Sequence, residues 1–328
     1  MKERILKYAR YANYALYPLF YLVCLAVFAT LTFPYSKLKE HIATSFNAQQ
    51  RATGGDEELQ IDEMSSYWLS GVRVKGVRLY TASAEADKPP QKIEIDQATV
   101  RYGIFSAIFG GSDMSFDVEA FGGRATGSFE THGADRSIEV TLEGIDIGRV
   151  EPLTKILGVP LKGKLGGSIK LAMPDGKASK GNGAVSLEAS DVAVGDGKAK
   201  IKDTLALPTV NVGAITLAAE AHDGLLKITK LIAGGKDVEV QGDGRISMRE
   251  LATESLLDTQ LRFKINDVYR AKSDMTKTLF GAPGSTAPAL FELADPRFKM
   301  SKRADGFYCW AIRGTLGRPD LAPLASSL

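Results

Sequence analysis

Gly158, Gly163 and Lys164 are the first residues whose spacing could do chemistry, since they fall at the intervals of a phosphate-binding loop. Such a loop aims backbone amides at phosphate oxygens and needs Ser or Thr after the lysine to meet magnesium. Here Leu165 takes that place and Pro160 removes an amide inside the loop, so the match reads as chance. Gly195-x-Gly197 and Gly242-x-Gly244 read as turns, because neither opens a helix after a parallel strand. The histidines, His41, His132 and His222, lie far apart with no second His or Cys at ligand spacing. His132 precedes Gly133 and His222 precedes Asp223-Gly224, which makes both turn residues. No serine sits in a nucleophile elbow. Asp and Glu mostly occupy the polar faces of strands. The expectation is therefore a non-enzymatic protein with no catalytic, cofactor-binding or metal-binding residue.

The elements around these residues begin with a membrane segment. Lys2, Arg4, Lys7 and Arg10 face only Glu3, and Tyr14 to Phe33 carries no charge. At about 1.5 Å per residue that run covers roughly 30 Å, the hydrocarbon thickness of a bilayer. Leu16, Leu19, Phe20, Leu22 and Leu25 each favour insertion by roughly 0.3–0.6 kcal/mol. Residues 1–34 thus read as a basic cytoplasmic tip and a transmembrane helix, with all that follows Pro34 outside. A cleaved signal peptide could use Val27 and Ala29, but the apolar run continues through Leu31 and Phe33, beyond a signal core. Val23 argues against a lipid-modified Cys24, where a small residue is needed. Tyr8, Tyr11, Tyr14, Tyr17 and Tyr21 form an interfacial aromatic belt. Cys309 is then the only cysteine outside, so no intrachain disulfide forms. A net charge of +2 over 328 residues gives no sign of a nucleic-acid partner.

Residues 35–58 read as an amphipathic helix and a joint. Tyr35, Leu38, Ile42 and Phe46 recur every three or four positions, for a helix at the membrane surface or against the body. Ala52 to Glu58 is the polar joint. Residues 59–328 then change to period two: Val72 and Val74; Ile138, Val140 and Leu142; Ile169 and Leu171; Val185 and Leu187; Ile215 and Leu217; Leu261, Phe263 and Ile265. That pattern means antiparallel strands with one apolar and one polar face. Turns are expected at Gly122-Gly123, Gly166-Gly167, Asp175-Gly176, Asp223-Gly224, Gly234-Gly235 and Gly242-Asp243-Gly244. The clearest helix candidate in this part is Glu151 to Leu157. Phe121 to Phe129 and Ala233 to Gly242 share one plan, paired glycines followed by a strand, and Leu165 to Ile169 partly repeats it. The fold class is mainly β with few short helices. The apolar face must be covered, by closing a barrel, stacking a second sheet, or curling into a groove that holds something apolar.

Several blocks in order carry a family likeness: Tyr67 to Val77, Phe116 to Phe129, Leu157 to Gly167, Gly195 to Lys200 and Asp305 to Trp310. Behind one N-terminal span, this set resembles the GspN family, type II secretion system protein N of the single-span, β-rich kind. The resemblance implies a single-pass protein of a bacterial inner membrane, its body periplasmic, contacting other type II secretion components. The alternating strands are also similar to AsmA-type proteins, which implies an elongated, curved sheet, a groove or taco, associated with lipid movement. The partners expected are then the bilayer through residues 14–33, secretion components, and lipid in the apolar groove. Candidate partner contacts are Tyr67, Trp68, Phe307, Tyr308 and Trp310; as core aromatics the same rings would instead cap the ends of the sheet.

Overall fold

A computed structural model describes residues 16–18, 20–22, 24–25, 27–28, 32–53, 55, 57–68, 70–81, 91–103, 111–151, 159–196, 200–201, 205–206, 208–285 and 289–324. The chain divides into two compact units, Met1–Ile104 and Phe105–Leu328.

In the first unit, the described residues between Leu16 and Phe28 are helical and exposed. Among the described residues no helix is long and apolar enough to cross a membrane, and much of the expected span lies outside them. Helix α1 (Tyr35–Thr53) includes the expected amphipathic segment and runs on into the expected joint. Three antiparallel strands follow, β1 (Glu57–Tyr67), β2 (Gly71–Thr81) and β3 (Gln91–Tyr102). The helix lies against β1. The Asn47 Nδ2 donates to the Leu59 carbonyl at 3.2 Å, and its Oδ1 accepts from the Leu59 N–H at 2.8 Å. One side-chain amide thus takes the place of a neighbouring peptide on that strand.

The second unit contains β4 (Gly111–Ala120), β5 (Gly123–His132), β6 (Asp135–Asp146), β7 (Leu161–Met173), β8 (Asn182–Val194), a short pair β9 (Lys200–Ile201) and β10 (Leu205–Ala206), β11 (Val210–His222), β12 (Leu225–Gly234), β13 (Val238–Ser247), β14 (Leu256–Ile265), β15 (Tyr308–Thr315) and β16 (Arg318–Pro323). From β4 to β8 and on through β11 to β16, each strand pairs antiparallel with the next. The expected Asp175-Gly176 and Asp223-Gly224 turns are present, with both residues of each at positive φ. Only Glu151 of the expected 151–157 helix is described.

Two expected turns lie inside strands instead. Gly166-Gly167 is in β7, and Gly242 to Gly244 in β13. Glycine is needed at both for packing. A Cβ on Gly167 would stand 2.1 Å from the Ser186 carbonyl oxygen, and one on Gly244, at φ 141, would stand 2.4 Å from the Thr259 Cα. Each place faces a register shift on the neighbouring strand, at Leu142/Ile145 and at Ile228/Leu231. The glycines therefore mark bulges in a continuous meander.

Between β14 and β15 stand four short helices that the apolar periodicity did not announce: α2 (Asp267–Arg270), α3 (Asp274–Phe280), α4 (Leu290–Ala294) and α5 (Pro296–Ser301). Ser273 and Thr276 form a reciprocal cap on α3. Asp295 caps α5, with Pro296 in its first turn. Tyr269 of α2, fully buried, sits on a cluster of Ile147, Ala189, Val192, Val210, Val212 and Ala233. Its hydroxyl donates to the Pro208 carbonyl at 2.6 Å.

Candidate functional site

Strand register carries the apolar set across the second unit in rows. Leu142, Gly167, Leu187, Leu217, Leu231, Gly242, Leu261 and Trp310 are successive cross-strand neighbours. A second row runs Val140, Ile169, Val185, Ala219 and Ile228. From β6 to β12 the large residues of both rows, Leu187, Leu217 and Leu231 among them, are only half-buried. Residues of the opposite face alternate with them: Thr141, Ser168 and Ser186 form one row, and Arg245 pairs with Asp258 at 3.0 Å. A hollow of about 770 Å³ on that polar face has Thr141, Gly166, Ser168, Ser186 and Thr216 in its lining, with Lys164 and Glu188 as its charges. Hydroxyls at such a surface are ordinarily solvated, and they gather no set of titratable groups for chemistry.

The apolar rows end differently at β14 and β15. Phe263, Phe291, Phe298, Tyr308 and Trp310 form a linked ring cluster, with centroid separations of 5.3 Å for Phe263–Tyr308, 5.1 Å for Phe291–Phe298 and 5.2 Å for Phe298–Trp310. Stacked and edge-to-face pairs of this kind add to plain burial. Glu292 of α4 is inserted beside them at 4% exposure. It accepts from the Tyr308 hydroxyl and from Lys302 Nζ at 2.7 Å. Burial alone would push its carboxyl up, but the Lys302 and Tyr308 bonds outweigh that and hold it below the usual carboxylate range. The same burial, reinforced by Glu292, pushes the Tyr308 phenol well above its ordinary value.

Beside this cluster is a pocket of about 510 Å³ lined by Leu261, Phe263, Phe298, Trp310 and Leu321, with Asp295 and Arg297 at its polar side. The Arg297 guanidinium lies 5.8 Å from the Trp310 ring and pairs with Asp295 at 2.8 Å. The Trp310 Nε1 donor is buried without a hydrogen-bond partner. Such a group costs about 1–3 kcal/mol until an acceptor reaches it. The apolar lining of the pocket can take an apolar chain. Among the described residues no group of three or more His, Cys, Asp or Glu could hold a metal ion.

The structure separates the aromatic residues singled out in the sequence. Tyr308 and Trp310 are buried, at 5% and 7% exposure, as parts of the ring cluster. Phe307 is half-buried on the other side of the strand, within 6 Å of Arg262 and Lys264 at 5.6 and 5.7 Å. Tyr67 and Trp68 belong to the first unit: Tyr67 stacks under Arg73 at 4.5 Å, while Trp68 is 73% exposed. Phe291, Glu292 and Phe298 were not singled out. Asp295-Pro296 was the available sign of a helix start near them.

No protein-family profile, curated protein or solved structure matches this chain.

Proposed function

We propose that this chain is a non-enzymatic, single-span inner-membrane protein whose periplasmic sheet binds an apolar ligand, the acyl chain of a lipid. The carrying observation is the pair of half-buried apolar rows across β6 to β12, one of them continued by register to the 510 Å³ pocket at Trp310. An acyl chain laid on that face replaces water over Leu187, Leu217 and Leu231, at about 25 cal/mol per Å² of apolar surface covered. Arg297, at the polar side of the pocket, suits a carbonyl or carboxylate at the end of the chain. The anchor is supported by Leu16, Phe20, Leu22, Leu25 and Phe28, all helical and more than half exposed. A helix apolar on all sides needs an apolar surrounding. A second reading, a structural part of a type II secretion apparatus, is favoured by the ordered blocks and has half-buried Phe307 as its contact. Native mass spectrometry of the full chain, released from its membrane in mild detergent, separates the two. Retained lipid, lost in Leu261→Asp, supports binding. Lipid-free protein that cross-links to secretion components through position 307 supports the second reading and sinks the first.

A further inference from the structure

We infer that the β1–β2 turn of the first unit is a second membrane contact, seated in the negatively charged headgroup layer of the bilayer that residues 14–33 enter. The inference rests on the anchor reading above. Its geometry comes from how α1 lies on β1. Lys39 Nζ donates to the Asp62 carbonyl at 2.9 Å, Asn47 holds Leu59, and Gln50 Nε2 donates to Glu57 at 3.0 Å. As the helix advances from 39 to 50, the strand partners recede from 62 to 57, so the two run antiparallel. At about 1.5 Å per helical residue and about 3.3 Å per strand residue, the start of α1 stands level with roughly Met64. The Trp68 turn then reaches about 10 Å further, toward the side from which the chain arrives through Phe33 and Pro34.

The chemistry of that end fits a headgroup layer. Trp68 is 73% exposed and held outward at φ 53, a backbone region that costs a non-glycine residue energy. Strand register puts Gly71 opposite Arg101 and Val72 opposite Val100, so the end of β3 shares this tip. Val100 and Tyr102 are exposed there as well. From Met64 to Val74 and from Ala98 to Gly103 the only charged residues are Arg73 and Arg101. The far end of the same sheet mixes both signs, Glu57, Glu58 and Glu94 with Arg78 and Lys92. Exposed Trp and Tyr flanked by arginine, with no carboxylate, is the composition that interfaces of anionic membranes favour. A tip so placed would fix the rotation of the unit about its anchor.

The test uses tryptophan emission, because the chain has two tryptophans and Trp310 is buried. Full-length Trp310→Phe protein is placed in vesicles of phosphatidylcholine and phosphatidylglycerol. The expected result is blue-shifted Trp68 emission, strongly quenched by lipids brominated near the glycerol end of the chain and little quenched by iodide. Replacing phosphatidylglycerol by phosphatidylcholine should weaken the lipid quenching, and Arg73→Gln with Arg101→Gln should remove that dependence. Iodide-quenched, lipid-insensitive emission from protein that floats with the vesicles overturns the inference and leaves the anchor standing. Emission shielded from both quenchers also overturns it and assigns the turn to a protein contact. Protein that does not float removes the anchor reading itself. If Trp310→Phe disturbs the fold, the difference between the parent and Trp68→Phe reports the same quantity.

Discussion

The rows of β8, β11 and β12 around Leu187, Leu217 and Leu231 and the end of the sheet at Thr259, Tyr308 and Trp310 carry the same alternation of apolar and polar residues, yet they are buried differently. In the first, Leu187, Leu217 and Leu231 keep part of their surface in solvent. In the second, Thr259, Tyr308 and Trp310 all fall below 10% exposure. The cause is the insertion between β14 and β15, whose helices bring Phe291, Phe298 and Glu292 onto the sheet. Alternation decides which face a residue takes. What lies above the face decides whether that residue becomes core or remains a surface able to receive a ligand.

Truncation at matched places would break the comparison most sharply. Tyr308→Ala removes a ring shared with Phe263 and Phe291 and one of the bonds on Glu292, and should cost about 3–5 kcal/mol. Leu187→Ala, on the half-open stretch, should cost less, about 1–2 kcal/mol, because less surface leaves solvent there. Denaturant midpoints of the full chain in one detergent check both. Equal losses would mean that the two stretches are buried alike.

A smaller effect concerns acid. The Glu292 carboxyl lies below its ordinary 4.5 in the folded chain, burial opposing and the Lys302 and Tyr308 bonds prevailing. A depressed folded value means that its contribution is fully present above about pH 4.5 and disappears as pH falls through the folded value. The thermal midpoint should therefore drop less on acidification in Glu292→Gln than in the parent. Parallel curves would show that the carboxylate is not held in this way.

Much of the fold was legible residue by residue. Val140, Ile169 and Val185 lie on one face as their spacing required. Gly166-Gly167 and Gly242-Asp243-Gly244 misled because a turn and a strand position opposite a bulge both take glycine, and only the neighbouring strand distinguishes them. Helices α2 to α5 were missed because they run only 4 to 7 residues, too short for an apolar period to register. Their caps, Ser273 with Thr276 and Asp295 with Pro296, were the readable signal. The Glu292 contact was not legible, since it joins a helix to a strand residue 16 positions away.

Ser186 and Leu187 are adjacent in β8 and project from opposite faces, which makes them the most direct test of the apolar face as a lipid seat. A benzophenone amino acid placed at either position in the full chain, irradiated in native membranes, would report what each face touches. Lipid attached at position 187 and absent at 186 is the expected result. Equal labelling at both, or none at 187 in folded protein, would contradict the account.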